Sequence, residues 1–201
     1  MHDAILEPML DPELESERLR PLMRREYDAL VERGYLVDDR IELLRGMLVE
    51  MSPQGPAHAS ITEWLHAHFV RGLPPHQFRI RSHSPYAATD DSEPEPDVLV
   101  ARGVAADYEH PTAALLLVEV ALESLRKDRK LKLGIYAEAG VPEYWIIDVE
   151  GQRVEVYTQP AGLQYQKVET FDRHATLRPT ALPAIDVPLA ELPWGAPKRP
   201  T

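Results

Sequence analysis

The sequence predicts a mixed α/β fold, of the α/β or α+β class, in which helices flank a mixed β-sheet. Three observations support this prediction. Short apolar runs of strand length occur between segments whose apolar residues recur at helical spacing. The last third of the chain is dominated by predicted strands. The chain has 201 residues, 44% of them hydrophobic, which is enough for one domain with a substantial core.

Two helices, a hairpin and a strand are predicted in the first half of the chain. Tyr27, Leu30 and Val31 recur at helical spacing, and Gly34 ends that helix. The hairpin turns at Arg45-Gly46, between two short apolar runs. In order, the predicted elements are a helix over residues 24–33, two strands within 40–51, a helix over 58–70 and a strand over 78–82.

Two buried strands, a third helix and three further strands are predicted in the second half. The runs DVLVA and LLLVEV are apolar and too short for helices, which favours buried strands. Gly140 occupies the position after the third helix where left-handed backbone is common. Trp145 is predicted in the core and Asp148 as a turn cap. The predicted elements are strands over 97–101 and 115–120, a helix over 127–139, and strands over 144–148, 153–158 and 165–170.

One domain is predicted over residues 21–193, between a loose arm over 1–20 and a flexible tail over 194–201. Prolines interrupt both ends, and neither end shows a sustained hydrophobic period. No repeat or low-complexity block separates the predicted elements.

Composition excludes several classes of function. The sequence contains no cysteine, so disulfides, zinc–thiolate sites and thiol catalysis are ruled out. No apolar stretch approaches the ~20 residues of a membrane span, and the N-terminus lacks the basic start and apolar run of a signal peptide. We therefore expect a cytoplasmic protein with no membrane partner.

The formal net charge of −11 argues against strong non-specific binding to a long duplex. Divalent cations bound to clustered carboxylates would offset part of this charge. The charge is also uneven, since five basic residues fall within seven positions: Arg126, Lys127, Arg129, Lys130 and Lys132.

Two carboxylates occur where core residues are expected. Asp97 opens a predicted buried strand, where it is either a turn cap or a functional group. Glu119 lies well inside an apolar strand, which is costly for a carboxylate without a partner. It is either half of a buried ion pair or a metal ligand or general base.

A lysine on the third helix is predicted to point towards the sheet. At ~100° per residue, Asp128 and Lys132 share a face with Ile135 and Tyr136, whereas Lys130 points to the opposite side. The alternative for Lys132 is a long stem covering apolar surface. The other four basic residues are interpreted as a solvated helix start, with phosphate contact as the alternative.

Taken together, the three residues indicate a site for phosphate chemistry. Neighbouring strands could bring Asp97 and Glu119 together, and two carboxylates form a hard oxygen site suited to Mg²⁺ or Mn²⁺. Lys132 beside them could orient or activate a water molecule and stabilise negative charge on a phosphate.

A series of motifs between about residues 21 and 193 extends this pattern. The most specific is Asp-x-x-x-Lys-x-x-x-Tyr, from Asp128 to Tyr136, followed by Gly-Val-Pro-Glu-Tyr-Trp. The others are Glu26-Tyr27, Arg40-Ile41-Glu42-Leu43, Met51-Ser52-Pro53 with His58, Pro96-Asp97-Val98, Val118-Glu119-Val120 and Ala181-Leu182-Pro183. In these motifs the sequence resembles the PD-(D/E)xK nucleases and, more narrowly, the Uma-two family of restriction-endonuclease-like proteins.

The resemblance implies a restriction-endonuclease-like fold with extra strands at the C-terminal end, and a Mg²⁺-dependent endonuclease acting on DNA, with Mn²⁺ as an alternative metal. It implies Asp97 and Glu119 as metal ligands. The lysine that the superfamily places two residues after the glutamate is Ala121 here, so the resemblance moves its catalytic role to Lys132.

The resemblance also brings in four further residues. Glu42 is either an exposed strand residue or a third catalytic carboxylate, and His58 is either a helix-start residue or a support for the site. Asp128 and Tyr136 are expected to support the site as well. A homodimer is expected, since acidic nucleases often pair to form a continuous cleft. Two other functions stay open: a catalytically inactive binding or regulatory module, and a hydrolase of a small phosphorylated substrate.

Overall fold

A six-stranded mixed β-sheet with helices on both faces forms the centre of the protein. The computed structural model describes residues 18–36, 40–103, 109–122 and 124–195. Its elements are α1 (Arg24–Glu32), β1 (Ile41–Leu44), β2 (Met47–Glu50), α2 (Pro56–Gly72), β3 (Phe78–Arg81), β4 (Val98–Arg102), β5 (Leu116–Ala121), α3 (the consecutive segments Leu125–Lys127, Asp128–Lys132 and Leu133–Glu138), β6 (Glu143–Asp148), β7 (Arg153–Ala161), β8 (Gln164–Asp172), β9 (Thr176–Leu177), β10 (Val187–Pro188) and a 3₁₀ turn (Leu189–Glu191).

The central sheet follows chain order from β3 to β8. Every neighbouring pair is antiparallel except β5 and β6, which run parallel. A parallel pair needs a crossover, and α3 supplies it between these two strands. The predicted mixed sheet flanked by helices is confirmed.

Alternation along the strands divides the core between the two faces of the sheet. Val98 and Val100 face α2, whereas Leu99 and Ala101 face α3. Strand β5 alternates in the same way, so Leu117 and Ala121 lie on the α3 face. Glu119 is two positions from both Leu117 and Ala121, so its side chain lies on the same face of the sheet. This alternation directs the side chain of Glu119 towards α3.

The middle of α3 is π-helical, from Asp128 to Lys132. The amide of Leu133 donates to the carbonyl of Asp128, a bond that spans five residues instead of four. Side chains five positions apart therefore lie close to one face, whereas ~100° per residue would separate them by ~140°. The spacing assumed for the sequence prediction does not hold through this stretch.

The β1–β2 hairpin is a separate two-stranded sheet. Its turn residues Arg45 and Gly46 have φ values of 52° and 74°, as a tight two-residue hairpin turn requires. The amide of Gly46 donates to the carbonyl of Asp91, and its carbonyl accepts from the amide of Leu22. The predicted turn at Arg45-Gly46 is confirmed, and the hairpin is held against two other segments.

The two ends of the chain differ in how they compare with the sequence prediction. Residues 1–17 of the predicted arm and 196–201 of the predicted tail lie outside the described residues. Trp194, predicted as the first residue of the tail, is only 4% exposed, and its indole donates to the carbonyl of Leu189. It packs in the core beside β10, so its placement in the tail was wrong. Among the described residues, no helix is both long and apolar enough to cross a membrane.

A buried carboxyl group next to the hairpin makes stability depend on pH. Glu93 is 2% exposed, and its amide donates to the carbonyl of Leu43. Burial and the nearby carboxylate of Asp28 raise the pKa of Glu93 to about 7, from an ordinary value of 4.5. Because the folded pKa lies above the unfolded one, the group's stabilising contribution is complete below pH 4.5 and is lost as the pH rises through 7.

We therefore expect Glu93→Gln, which imitates the protonated acid, to stabilise the protein at high pH. The difference in free energy of unfolding between variant and wild type should be about 2–3 kcal/mol larger at pH 8 than at pH 5. Urea unfolding at both pH values measures this difference. An equal difference at pH 5 and pH 8 would contradict the raised pKa.

Candidate active site

Asp97, immediately before β4, lies opposite Glu119 of the adjacent strand β5. The β4–β5 register pairs Val98 with Val118, and its continuation by one residue places Asp97 beside Glu119. Both side chains are buried, at 6% and 4% exposure. The parity of Glu119 directs it to the α3 face of the sheet, whereas Asp97 contacts His58 of α2. The structure thus brings together the two carboxylates singled out in the sequence.

Hydrogen bonds hold the Asp97 carboxylate in place. Its Oδ2 accepts from the amide of Val120 at 2.7 Å and lies 3.0 Å from Nε2 of His58. Its Oδ1 lies 3.3 Å from Nδ1 of His83. Burial raises the pKa of Asp97, but these three contacts outweigh it and hold the pKa well below its usual range. Asp97 is therefore ionised at neutral pH, and His58 stands where a supporting residue is expected.

Lys132 is buried between two carboxylates. Its Nζ lies 3.0 Å from Oε1 of Glu119 and 2.9 Å from Oε2 of Glu42, and the side chain is 4% exposed. Burial lowers the pKa of Lys132, but the surrounding carboxylates raise it well above its usual range. Lys132 therefore stays protonated. The inward direction predicted for this lysine agrees with the structure, and its role in orienting or activating a water molecule stays a prediction.

Glu42 belongs to the same cluster. Its side chain is fully buried, which excludes the reading of Glu42 as an exposed strand residue. Oε2 also accepts from the amide of Glu95 at 3.2 Å. Although burial raises the pKa of Glu42, the ammonium groups of Lys132 and Lys127 lower it below its ordinary value.

Lys127 is a site residue that the sequence did not reveal. Its Nζ lies 2.8 Å from Oε1 of Glu42, so two lysines share one carboxylate. Sequence reasoning assigned Lys127 to a solvated helix start because it assumed regular α-helical spacing. The π-helical stretch brings Lys127 and Lys132, five positions apart, to the same side of α3.

Of the supporting residues predicted on α3, Tyr136 contacts Glu119 and Asp128 lines the same cavity. The hydroxyl of Tyr136 donates to Oε1 of Glu119 at 2.7 Å. Oδ2 of Asp128 accepts from the hydroxyl of Ser124 at 2.6 Å, while Oδ1 is buried with no hydrogen-bond partner among the described residues. Burial raises the pKa of both Glu119 and Asp128, so these two carboxyl groups hold protons more strongly than usual.

Two further residues at the site escaped the sequence prediction because they lie in loops. His83 has a φ of 48°, a left-handed conformation that is uncommon outside glycine, and it is held by Gln54 and Asp97. Glu95 lies two residues before Asp97 and lines the same cavity, and burial raises its pKa. The Pro94-Glu95-Pro96-Asp97 segment was the only available signal for Glu95.

These side chains surround a cavity of about 280 Å³. Its charged lining comprises Glu42, Glu95, Asp97, Glu119 and Asp128 against Lys127 and Lys132. When its carboxyl groups are ionised, the cavity carries excess negative charge and favours a cation. Among the described residues, no three acidic or histidine side chains form a ready-made metal shell. Mg²⁺ is commonly held by one or two carboxylates with water and phosphate oxygens, so Asp97 and Glu119 fit this ion.

The mixed sheet flanked by helices is the architecture expected of a restriction-endonuclease-like protein. The model of the Uma2 family, described as "Putative restriction endonuclease", matches residues 26–190, and the chain belongs to this family. No curated protein matches the chain.

A solved structure provides an independent comparison of the fold. It is a crystal structure from Anabaena variabilis ATCC 29413, described as "a putative nuclease belonging to DUF820", with a TM-score of 0.64. The match covers 77% of this chain and 90% of that chain at 21% identity, a level at which the likeness concerns the fold. Family and fold together support a restriction-endonuclease-like nuclease, a hydrolase of phosphodiester bonds.

Proposed function

We propose that this protein is a metal-dependent endonuclease that hydrolyses phosphodiester bonds in DNA at the cavity between β4, β5 and α3. The observation that carries the proposal is the meeting of Asp97, Glu119 and Lys132 in one buried cluster. Asp97 and Glu119 would hold one or two Mg²⁺ ions, with Mn²⁺ as an alternative. A carbonyl such as that of Val120 is a further possible ligand.

Each residue of the site would have a distinct role in hydrolysis. A bound divalent cation would supply Lewis acidity and lower the pKa of a water molecule. Lys132, which stays protonated, contributes positive charge and hydrogen bonds to the phosphate and to that water, and does not act as a base. His58 keeps Asp97 oriented, and Tyr136 does the same for Glu119.

Glu42 has a positioning role in this proposal. It forms ion pairs with Lys127 and Lys132 through different oxygen atoms. The long lysine side chains would otherwise be free to sample many rotamers. Glu42 therefore limits where the two ammonium groups lie when a phosphate arrives.

Cleavage assays with the purified wild-type protein test the proposal. Single- and double-stranded oligonucleotides are incubated with Mg²⁺, with Mn²⁺ or with EDTA. We expect cleavage with either metal and none with EDTA. An intact substrate under every condition, with a protein that binds the metal, would contradict the proposal.

The principal second candidate is a catalytically inactive binding module. It is favoured by the way Lys127, Lys132, Glu42 and Glu119 satisfy one another without any added group. Such a network can be a structural ion cluster alone. In that case the assay above shows no metal-dependent cleavage, while oligonucleotide or protein binding remains measurable.

A further inference from the structure

A basic groove continues from the carboxylate cavity along the start of α3. Its polar lining comprises Ser52, Ser124, Arg126, Lys127, Lys130 and Glu50. Ser52, Ser124 and Lys127 also line the cavity, so the two spaces share a wall. Among the described residues that line the groove, three have cationic side chains and one has a carboxylate, in a protein whose net charge is −11.

Two of these cations have no ion-pair partner among the described residues. Lys127 is committed to Glu42, and Arg129 forms paired hydrogen bonds with Glu155. By contrast, Arg126 and Lys130 are exposed, and neither forms an ion pair with any carboxylate in the part of the chain that the structure describes. Both line the groove and are available to an anion.

Helix stability does not explain the cation at position 126. Positive side chains in the first turn of a helix oppose the helix dipole, which favours negative groups there. Arg126 lies in that first turn and gains no compensating ion pair among the described residues.

We propose that this groove binds the phosphate next to the scissile phosphate, with Arg126 and Lys130 as its ligands. The proposal rests on the nuclease function proposed above and names the part of the substrate that this chain recognises. When the scissile phosphate of a nucleic-acid strand lies at Asp97 and Glu119, the strand passes along Ser52, Ser124 and Lys127 to reach the groove. A small phosphate ester has no second phosphate to place there, so the groove selects a polynucleotide.

The double variant Arg126→Ala/Lys130→Ala tests this subsite through substrate preference. Two substrates are compared: a labelled oligonucleotide and bis(p-nitrophenyl) phosphate, which has a single phosphodiester. We expect the ratio of kcat/KM for the oligonucleotide to that for the small diester to fall at least tenfold. The control Arg71→Ala/Lys167→Ala removes the same charge from the far end of α2 and from β8, and should leave the ratio unchanged.

Binding without cleavage provides a second readout, which separates this proposal from the nuclease function. Fluorescence anisotropy with Ca²⁺ in place of Mg²⁺ measures oligonucleotide affinity at several salt concentrations. Loss of two phosphate contacts should reduce the slope of log K against log salt by about 1.4 for a single strand and about 1.8 for a duplex. This result is expected even if the wild-type protein cleaves nothing, a case in which only the nuclease proposal fails.

Three results would overturn the subsite. The first is an unchanged salt slope and an unchanged substrate ratio in a folded double variant. The second is an equal loss of activity on both substrates, which would place the two residues in the chemistry and not in a neighbouring subsite. The third is an absence of oligonucleotide binding by the wild-type protein itself.

Discussion

Replacement of Lys132 by methionine is expected to reduce the cleavage rate by about 10²- to 10³-fold. The substitution keeps a similar apolar stem and removes the ammonium group that lies 3.0 Å from Glu119 and 2.9 Å from Glu42. Initial rates with Mg²⁺ measure the effect. The matched control is Lys167→Met, which removes a lysine from the exposed strand β8 and should cleave at the wild-type rate.

The same substitution is expected to weaken the fold, because it leaves buried carboxylates without their shared partner. Breaking a buried ion pair from one side costs about 3–5 kcal/mol. If Lys132→Met is unfolded, the cleavage rate is measured instead with the double variant Lys132→Met/Glu42→Gln, which removes the charges of both Lys132 and Glu42. A folded variant of either kind that cleaves like the wild type would rule out a catalytic role for Lys132.

Replacement of Asp97 by asparagine is expected to abolish binding of Mg²⁺ and, with it, cleavage. Asparagine keeps the shape of the side chain but removes one of the two carboxylates that face each other across β4 and β5. Changes to residues that merely support a metal ligand cost 10- to 100-fold in affinity, so loss of a ligand should weaken binding at least about 100-fold. Calorimetric titration with Mg²⁺ and Mn²⁺ measures this loss.

An exposed carboxylate supplies the control for that titration. Asp172→Asn removes the same charge from β8 and should bind the metal as the wild type does. Equal affinity in the Asp97→Asn variant would move the metal site elsewhere in the protein. Absence of binding by the wild type would instead favour the inactive binding module.

The fold could be predicted from sequence wherever apolar residues recur over several positions. Strands β4 and β5 are continuous apolar runs, and α2 carries a helical repeat, so their type and approximate bounds follow from the pattern. Strands β9 and β10 have two residues each, which is too short for any period to appear. Trp194 lies among prolines and glycine, a composition typical of a tail, yet the core surrounds it.

The site could be predicted only in part, because the sequence indicates the direction of a side chain only on or next to regular secondary structure. Glu119 lies on the regular strand β5, where parity determines the direction of a side chain, and Asp97 immediately precedes β4. Lys132 points inward as predicted, although the helical spacing changes within its own segment. His83 and Glu95 lie on irregular backbone, whose course depends on tertiary contacts. Lys127 was misassigned because a local change of helix type is not visible in the hydrophobic pattern.

The π-helical stretch of α3 makes the site sensitive to the length of the chain and not only to its side chains. A π-helical turn contains one residue more than an α-helical turn. Deletion of the codon for Leu131 would restore a regular helix and rotate Lys127 by about 100° relative to Tyr136. Glu42 would then keep one ammonium partner instead of two, although no charged residue had been substituted. For this site, a deletion that preserves the reading frame is equivalent to the loss of a lysine.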